Sequence, residues 1–297
     1  MPSLQVLTIY DCPKLKTFPY RLMSLNLLKV LRIVKCPEFE KLPPLGKLPC
    51  LEELHLRGME VKRVGVEFMG IEKEKDASTS FLSFPNLKKL SFYGFTKWEE
   101  WDDIDEWLME RINNKTITIM PSLQKLFIHY CPKLKTFPYR LMSLNLLKVL
   151  TIRHCPKYEE LPPLGKLSCL EGLYLERMSV KRVGVEFMGI EKEKDASTSF
   201  LSFPKLKILT FHCFRKWEEW DDIDKWLIER INNKTITIMP SLQELYIKDC
   251  PRLKALPYHL LSPPITTGIQ RLSIMGRNVL EQEVVKDKLS HISHLAI

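Results

Sequence analysis

Leu4-Gln5-Val6-Leu7-Thr8-Ile9-Tyr10-Asp11-Cys12-Pro13 returns as Leu28-Lys29-Val30-Leu31-Arg32-Ile33-Val34-Lys35-Cys36-Pro37, and this shared pattern decides the fold. Leu7 and Ile9 alternate with Thr8 and Tyr10, the period of two expected of a strand with one face buried. The motif continues as Leu51-x-x-Leu54-x-Leu56-x-x-Met59 and Leu87-x-x-Leu90-x-Phe92-x-x-Phe95. It restarts at Leu123, Leu147, Leu170, Leu206 and Leu242, and Ile269-x-x-Leu272-x-Ile274 is a degenerate tenth unit. One such unit cannot bury its apolar face alone, whereas stacked units share a continuous core. The spacing is that of a leucine-rich repeat. The expected fold is an α/β solenoid, a horseshoe with a parallel concave sheet and a mostly irregular or short-helical convex side.

A longer period encloses the short one. Met1-Pro2-Ser3-Leu4-Gln5 recurs at Met120 and again at Met239, giving a 119-residue super-repeat. The copies are 1–119, 120–238 and a partial 239–297, and together they make about ten repeats in one leucine-rich-repeat domain, 1–297. Pro13, Pro37, Pro132, Pro156 and Pro251 follow the motif cysteines and, lacking an N–H, are expected to end the strands. The return halves, such as Leu42-Pro43-Pro44-Leu45-Gly46-x-Leu48, are too rich in proline for long helices and point to irregular or 3₁₀ segments.

Two insertions lengthen the third and fourth units of each copy. Gly70–Ser80 is polar and aperiodic and reads as a loop. In the second, Ile104, Trp107, Leu108, Arg111 and Ile112 fall at helical spacing, with Asp103 and Glu106 placed as a capping box that Lys225 half removes from the second copy. The carboxylates around Trp98-Glu99-Glu100-Trp101, from Glu99 through Asp102, Asp103, Asp105 and Glu106, read as a solvated rim over an apolar patch.

Composition excludes several classes. The net charge of +9 comes from 45 basic and 36 acidic residues with no basic block, so nucleic acid is not an expected partner. No apolar run approaches the roughly 18 residues of a membrane span. The N-terminus has neither the basic nor the apolar region of a signal peptide, so a cytoplasmic location is expected. Asn114-Lys115-Thr116 and Asn233-Lys234-Thr235 would then never meet a glycosyltransferase. The eight cysteines are accordingly expected to be free. Cys12, Cys36, Cys131, Cys155 and Cys250 all close a strand motif, where a small thiol packs inside. There is no Cys-x-x-Cys, and His129, His154, His212 and His291-x-x-His294 lack a metal-ligand spacing, so neither a metal nor a cofactor is expected. No Ser/His/Asp or Cys/His grouping stands out. The expectation is a protein that is not an enzyme.

The two full copies differ at 24 positions. Fifteen of these differences fall among the twenty variable positions of the four strand motifs, and only nine among the remaining 99. Free drift would have marked the polar insertion as well, yet Glu72–Ser80 is unchanged. Several changes swap charge or create an aromatic ring, as in Asp11/Tyr130, Arg57/Glu176 and Thr8/Phe127. We therefore read the concave face as a protein-binding surface diversified on a fixed frame. Its expected contact residues are Tyr10, Arg32, His55, Tyr93, Phe127, His129, Arg153, Tyr174, Glu176, His212, Tyr246 and Lys248, where aromatic and arginine side chains offer large area or many donors.

Leu42-Pro43-Pro44-Leu45-Gly46-Lys47-Leu48-Pro49-Cys50-Leu51-Glu52-Glu53-Leu54, running into Val61-Lys62-Arg63-Val64-Gly65-x-Glu67-Phe68, resembles the leucine-rich region of plant nucleotide-binding disease-resistance proteins. Phe84-Pro85-x-Leu87, Trp98-Glu99-Glu100-Trp101 and the repeated Cys-Pro-x-Leu are similar to the coiled-coil class of that family, and Lys288–Ile297 is similar to its C-terminal close. The resemblance covers essentially the whole chain. It implies a non-catalytic recognition and regulatory module of an intracellular plant immune receptor. Its partners would be a pathogen effector or guarded host protein and the receptor's own nucleotide-binding switch domain. No Gly-x-x-x-x-Gly-Lys-Ser/Thr is present, so no nucleotide chemistry is assigned to these residues. The chain opens directly on a strand motif, as the tail of a longer receptor or a truncated product would. An alternative is a substrate-recruiting leucine-rich-repeat adaptor of a ubiquitin ligase, which should carry an F-box-like helical segment before its repeats.

Overall fold

The computed structural model describes residues 3–39, 41–71, 81–102, 117–137, 144–190, 200–221, 236–254, 268–276 and 294–296. The chain divides into two compact units, Met1–Leu147 and Lys148–Ile297. The insertion at Glu72–Ser80, the expected helix over 104–112, both Asn-Lys-Thr sequons and most of the C-terminal close lie outside the described residues.

In the first unit the strands are β1 (Val6–Tyr10), β2 (Val30–Val34), β3 (Glu53–Arg57), β4 (Arg63–Val64), β5 (Phe81–Ser83), β6 (Lys89–Tyr93), β7 (Glu100–Trp101), β8 (Ile117–Ile119) and β9 (Lys125–His129). The motif strands β1, β2, β3, β6 and β9 pair side by side in parallel, without slippage, so that Leu31 lies between Leu7 and Leu54, and Phe92 between Leu56 and Ile128. Leu31, Ile33, Leu54, Leu56, Leu90 and Phe92 are all fully buried, which is the physical reason the register is fixed: a one-residue slip would turn every one of them to water. Leu7 and Ile9 on β1 stay half-exposed.

The second unit repeats the plan with β10 (Val149–Cys155), β11 (Gly172–Met178), β12 (Arg182–Val183), β13 (Phe200–Ser202), β14 (Ile208–His212), β15 (Glu219–Trp220), β16 (Ile236–Ile238), β17 (Glu244–Lys248), β18 (Arg271–Met275) and β19 (His294–Ala296). Here β10, β11, β14, β17, β18 and β19 pair in parallel. The degenerate tenth motif is β18. Beyond it β19 adds a strand within Ile292-x-x-Leu295-x-Ile297, the same degenerate spacing as the tenth motif, with Leu295 opposite Leu272.

The return halves hold the expected 3₁₀ turns at Tyr20–Ser24, Leu45–Lys47 and Leu164–Lys166. They also contain short parallel ladders, β4 with β7, β5 with β8, β12 with β15 and β13 with β16. Gly46 shows why the Pro-Pro-Leu-Gly sequence recurs. Its N–H donates to the Phe68 carbonyl at 3.0 Å and its own carbonyl accepts from the Phe84 N–H at 2.9 Å. A β-carbon there would sit 2.1 Å from the Met69 carbonyl oxygen, so only glycine fits; Gly165 is in the same position at 2.0 Å from the Met188 oxygen. The buried Ser83 hydroxyl donates to that Met69 carbonyl at 2.7 Å and so leaves no orphaned polar group.

The Trp-Glu-Glu-Trp segment corrects one expectation. Trp98 and Trp101 are core residues, not a patch under a solvated rim. Trp98 is fully buried, with its ring 4.9 Å from Phe92 and 5.7 Å from Phe95, and its indole N–H donates to the Glu100 carbonyl at 2.7 Å. Asp102 is paired with Arg63 across the β4–β7 ladder and is only 12% exposed. Asp103, Asp105 and Glu106 lie outside the described residues.

The strand ends correct another. The residue before the cysteine position takes a left-handed conformation, just after most motif strands and inside the longer β10 and β11: Asp11, Lys35, Tyr130, His154, Arg177, Cys213 and Asp249 have φ of 53–57°, and Gly58 and Gly94 have 65° and 68°. This turn breaks the outward alternation of the strand, and most strands end before it; β10 alone among the cysteine-bearing motif strands runs on to Cys155 and stops at Pro156. The motif cysteines then fold inward, each thiol donating to the carbonyl two residues back, at 3.5 Å for Cys12 and 3.3 Å for Cys250. Cys36, Cys131, Cys155 and Cys250 are buried, and burial pushes the Cys250 thiol up to about 12.

Candidate functional site: the outward strand faces

All twelve expected contact residues lie at outward strand positions, each beside an inward Leu, Ile or Phe. The register sorts them into rows. In the first unit Tyr10, Val34, Arg57, Tyr93 and His129 form one row, and Thr8, Arg32, His55, Ser91 and Phe127 the next. In the second, Arg153, Glu176, His212, Lys248 and Met275 form one row, and Thr151, Tyr174, Thr210, Tyr246 and Ser273 the next.

The first unit's face is built on rings and cations. The Arg57 guanidinium lies over Tyr93 at 4.6 Å, and Tyr93 packs on Tyr130 at 5.1 Å and on His129 at 6.2 Å. Phe127 meets His129 at 6.0 Å, and the Lys35 ammonium lies over Tyr10 at 5.3 Å. Tyr10 and Tyr130 are 56% and 44% exposed, large amphipathic surfaces already ordered by their neighbours. His55 is held from two sides, by Ser91 Oγ at 2.9 Å and Glu53 Oε2 at 3.1 Å.

The second unit's face is built on charge. Glu176 sits among Arg153 Nε at 3.5 Å, His154 Nε2 at 3.5 Å, His212 Nδ1 at 3.6 Å and Arg177 Nε at 3.7 Å. A hollow of about 310 Å³ opens there, lined by Arg153, Tyr174, Glu176, His212, Tyr246 and Lys248. Neither Tyr174 nor Glu176 is buried, but neither is freely exposed. The structure leaves Glu176 only 18% exposed, because four basic groups crowd its carboxylate, and half-buries Tyr174, whose ring lies over Gly172. That desolvation holds the Tyr174 hydroxyl above the usual phenol range. Desolvation, reinforced by Arg177, holds His154 below the usual imidazole range.

Sequence spacing missed two features. Glu53 and His55 changed together to Gly172 and Tyr174: a hydrogen-bonded pair in one unit became a ring lying over a glycine in the other. A signal for this existed, since both positions differ between copies. The second is that His212, Cys213 and Asp249 lie together, with their ligating atoms all within 4.8 Å of one another. The sequence had separated them, because Asp249 comes from the next strand. A larger hollow, about 660 Å³, is lined by return-half residues including Phe39, Arg63, Glu67 and Lys97, away from the twelve expected positions.

Residues 1–59 match the family model described as R13L1/DRL21 LRRs. Over 212 residues the chain is 30% identical to "Probable disease resistance protein RF9" of Arabidopsis thaliana, covering 71% of this chain and 16% of that one. The chain belongs with the leucine-rich-repeat regions of plant disease-resistance proteins. "Putative disease resistance RPP13-like protein 1" of the same plant is 32% identical over 143 residues, 46% of this chain and 13% of that one. "Putative disease resistance protein RGA4" of Solanum bulbocastanum is 28% identical over 168 residues, 57% of this chain and 14% of that one. The chain thus spans a small part of these relatives' length. Among solved structures, the leucine-rich repeat domain of the type III effector XopL superposes with a TM-score of 0.60 at 18% identity, over 94% of this chain and 78% of that one, which shows the fold. No helix among the described residues is long and apolar enough to cross a membrane.

Proposed function

We propose that this resistance-type repeat region is a non-catalytic recognition and regulatory module, acting in the cytoplasm as part of an intracellular plant immune receptor of the coiled-coil class. Its outward strand faces take a protein partner, a pathogen effector or a guarded host protein, and in a full-length receptor the region also contacts the nucleotide-binding switch domain. One observation carries the reading: fifteen of 24 copy differences fall among the twenty variable strand-motif positions, and only nine among the other 99. Tyrosine and arginine on that face supply area and donors, and the mixed charges supply register and selectivity more than raw affinity.

The test is an exchange between copies in a full-length receptor. Gly172, Tyr174 and Glu176 are replaced together by Glu, His and Arg, the residues of the first copy. Partner-dependent cell death should be redirected or lost, while thermal stability falls by no more than about 1–3 kcal/mol, the cost of a guanidinium set beside Arg153 and Arg177 on an otherwise unaltered frame. The substitution Glu191→Lys in the polar insertion should do much less. Redirection by the insertion change, with the strand exchange silent, would replace this reading with drift.

A further inference from the structure

We propose that His212, Cys213 and Asp249 form a binding site for a divalent transition-metal ion of the zinc type, built only in the second unit. In an ordinary strand the neighbours His212 and Cys213 would point to opposite faces. The left-handed turn at Cys213, φ 57°, breaks that alternation, and Asp249 occupies the same turn of the next strand with φ 53°. His212 Nε2 lies 3.2 Å from Asp249 Oδ2, and Cys213 Sγ lies 3.9 Å from the same oxygen. A tetrahedral site with zinc–ligand bonds of about 2.0–2.3 Å has edges of roughly 3.3–3.7 Å, so small side-chain rotations complete the set.

The backbone fixes the three residues in advance. The Cys213 N–H donates to the Lys248 carbonyl at 2.9 Å and the Asp249 N–H to the Met275 carbonyl at 2.7 Å, so both turns are pinned to the adjacent strand. Glu176 supplies the outer support. Its Oε1 lies 3.6 Å from His212 Nδ1, the ring nitrogen facing away from Asp249. A carboxylate on the distal nitrogen orients a ligating imidazole and raises its basicity. Thiolate, imidazole and carboxylate together favour zinc-like ions over magnesium or calcium, and coordination releases the Cys213 thiol proton to solvent. Three protein ligands leave a fourth position for water or for a donor from a bound partner. The equivalent residues of the first unit are Tyr93, Gly94 and Tyr130, two stacked rings and a glycine, which offer no such set.

The 297-residue chain, reduced and metal-free, should bind one Zn²⁺ in a calorimetric titration with the metal alone. Co²⁺ should give a thiolate-to-metal charge-transfer band. The variant carrying His212→Tyr, Cys213→Gly and Asp249→Tyr restores the first unit's residues at a turn where Gly94 already adopts φ 68°, so it keeps the fold; it should weaken binding at least 100-fold. Glu176→Gln should weaken it about 10- to 100-fold. Bound zinc should also block alkylation of Cys213 while Cys12, equally half-exposed, still reacts. A missing charge-transfer band, or unchanged binding in the triple variant, overturns the proposal.

Discussion

Arg57, Gly58, Tyr93, Gly94 and Tyr130 in the first unit occupy the same places as Glu176, Arg177, His212, Cys213 and Asp249 in the second. One set is a ladder of stacked rings under a guanidinium; the other is a carboxylate ringed by basic groups beside a thiol and a second carboxylate. The frames beneath are nearly identical. Phe68 and Phe84 stand 5.1 Å apart, as do Phe187 and Phe203, and Phe92–Trp98 at 4.9 Å matches Phe211–Trp217 at 4.8 Å. The comparison teaches that surface chemistry here is almost decoupled from the fold. A parallel ladder fixes backbone and buried side chains, and leaves outward positions constrained only by their immediate neighbours.

The strongest challenge to that separation is a change in the shared frame. Gly46→Ala and Gly165→Ala should each cost about 3 kcal/mol, since the new methyl meets a backbone carbonyl in either unit. Urea unfolding of the two variants would show it, and tolerance in one unit alone would mean that the frames differ after all. The next largest effect concerns a core position that did change. Tyr158 replaces Phe39, and its buried hydroxyl has no partner among the described residues. Tyr158→Phe should therefore stabilise by about 1 kcal/mol and Phe39→Tyr should destabilise by about 1–3 kcal/mol, both read from thermal unfolding.

A smaller effect tests how far outward positions depend on one another. Glu53→Gly and His55→Tyr should each be mildly destabilising, while the pair together, copying Gly172 and Tyr174, should be close to neutral. A double-mutant cycle should return about 0.5–1 kcal/mol of coupling, and simple additivity would show that the two changes arose independently. The smallest expected effect is a pH dependence. His154 has a folded value held below that of the unfolded chain, so the unfolded state takes up a proton first and stability falls as pH drops from about 6.5. In the first unit the same position is Lys35, held above its ordinary value chiefly by a hydrogen bond to Tyr10, so its contribution is full at neutral pH and is lost only above about 10.5. Replacing His154 by Lys should flatten the stability profile between pH 5 and 7, and an unchanged slope would assign the acid sensitivity elsewhere.

The alternation of Leu7 and Ile9 with Thr8 and Tyr10 was enough to specify strand and face, because a side-chain period of two sets those aliphatics on one side; the register between strands came only with the structure. The same logic placed all twelve expected contact residues on the outward face. The proline-rich return halves were legible as 3₁₀ turns, but β4, β7 and their counterparts were not, since two-residue strands carry no period. Trp98 and Trp101 misled for a related reason: flanking carboxylates signal exposure, whereas indole rings follow volume and pack wherever the core has room.

The linear order of residues determined the repeat, the buried face and the positions free to vary, because these follow from local periodicity and from the copies' own differences. Tertiary structure alone decided what the variable positions became. Left-handed turns at the strand ends turned Cys213 toward His212 and Asp249, and parallel stacking brought four basic groups to one carboxylate at Glu176. Side chains up to 37 residues apart meet there because a ladder sets its own distances across strands, whatever length of chain returns between them.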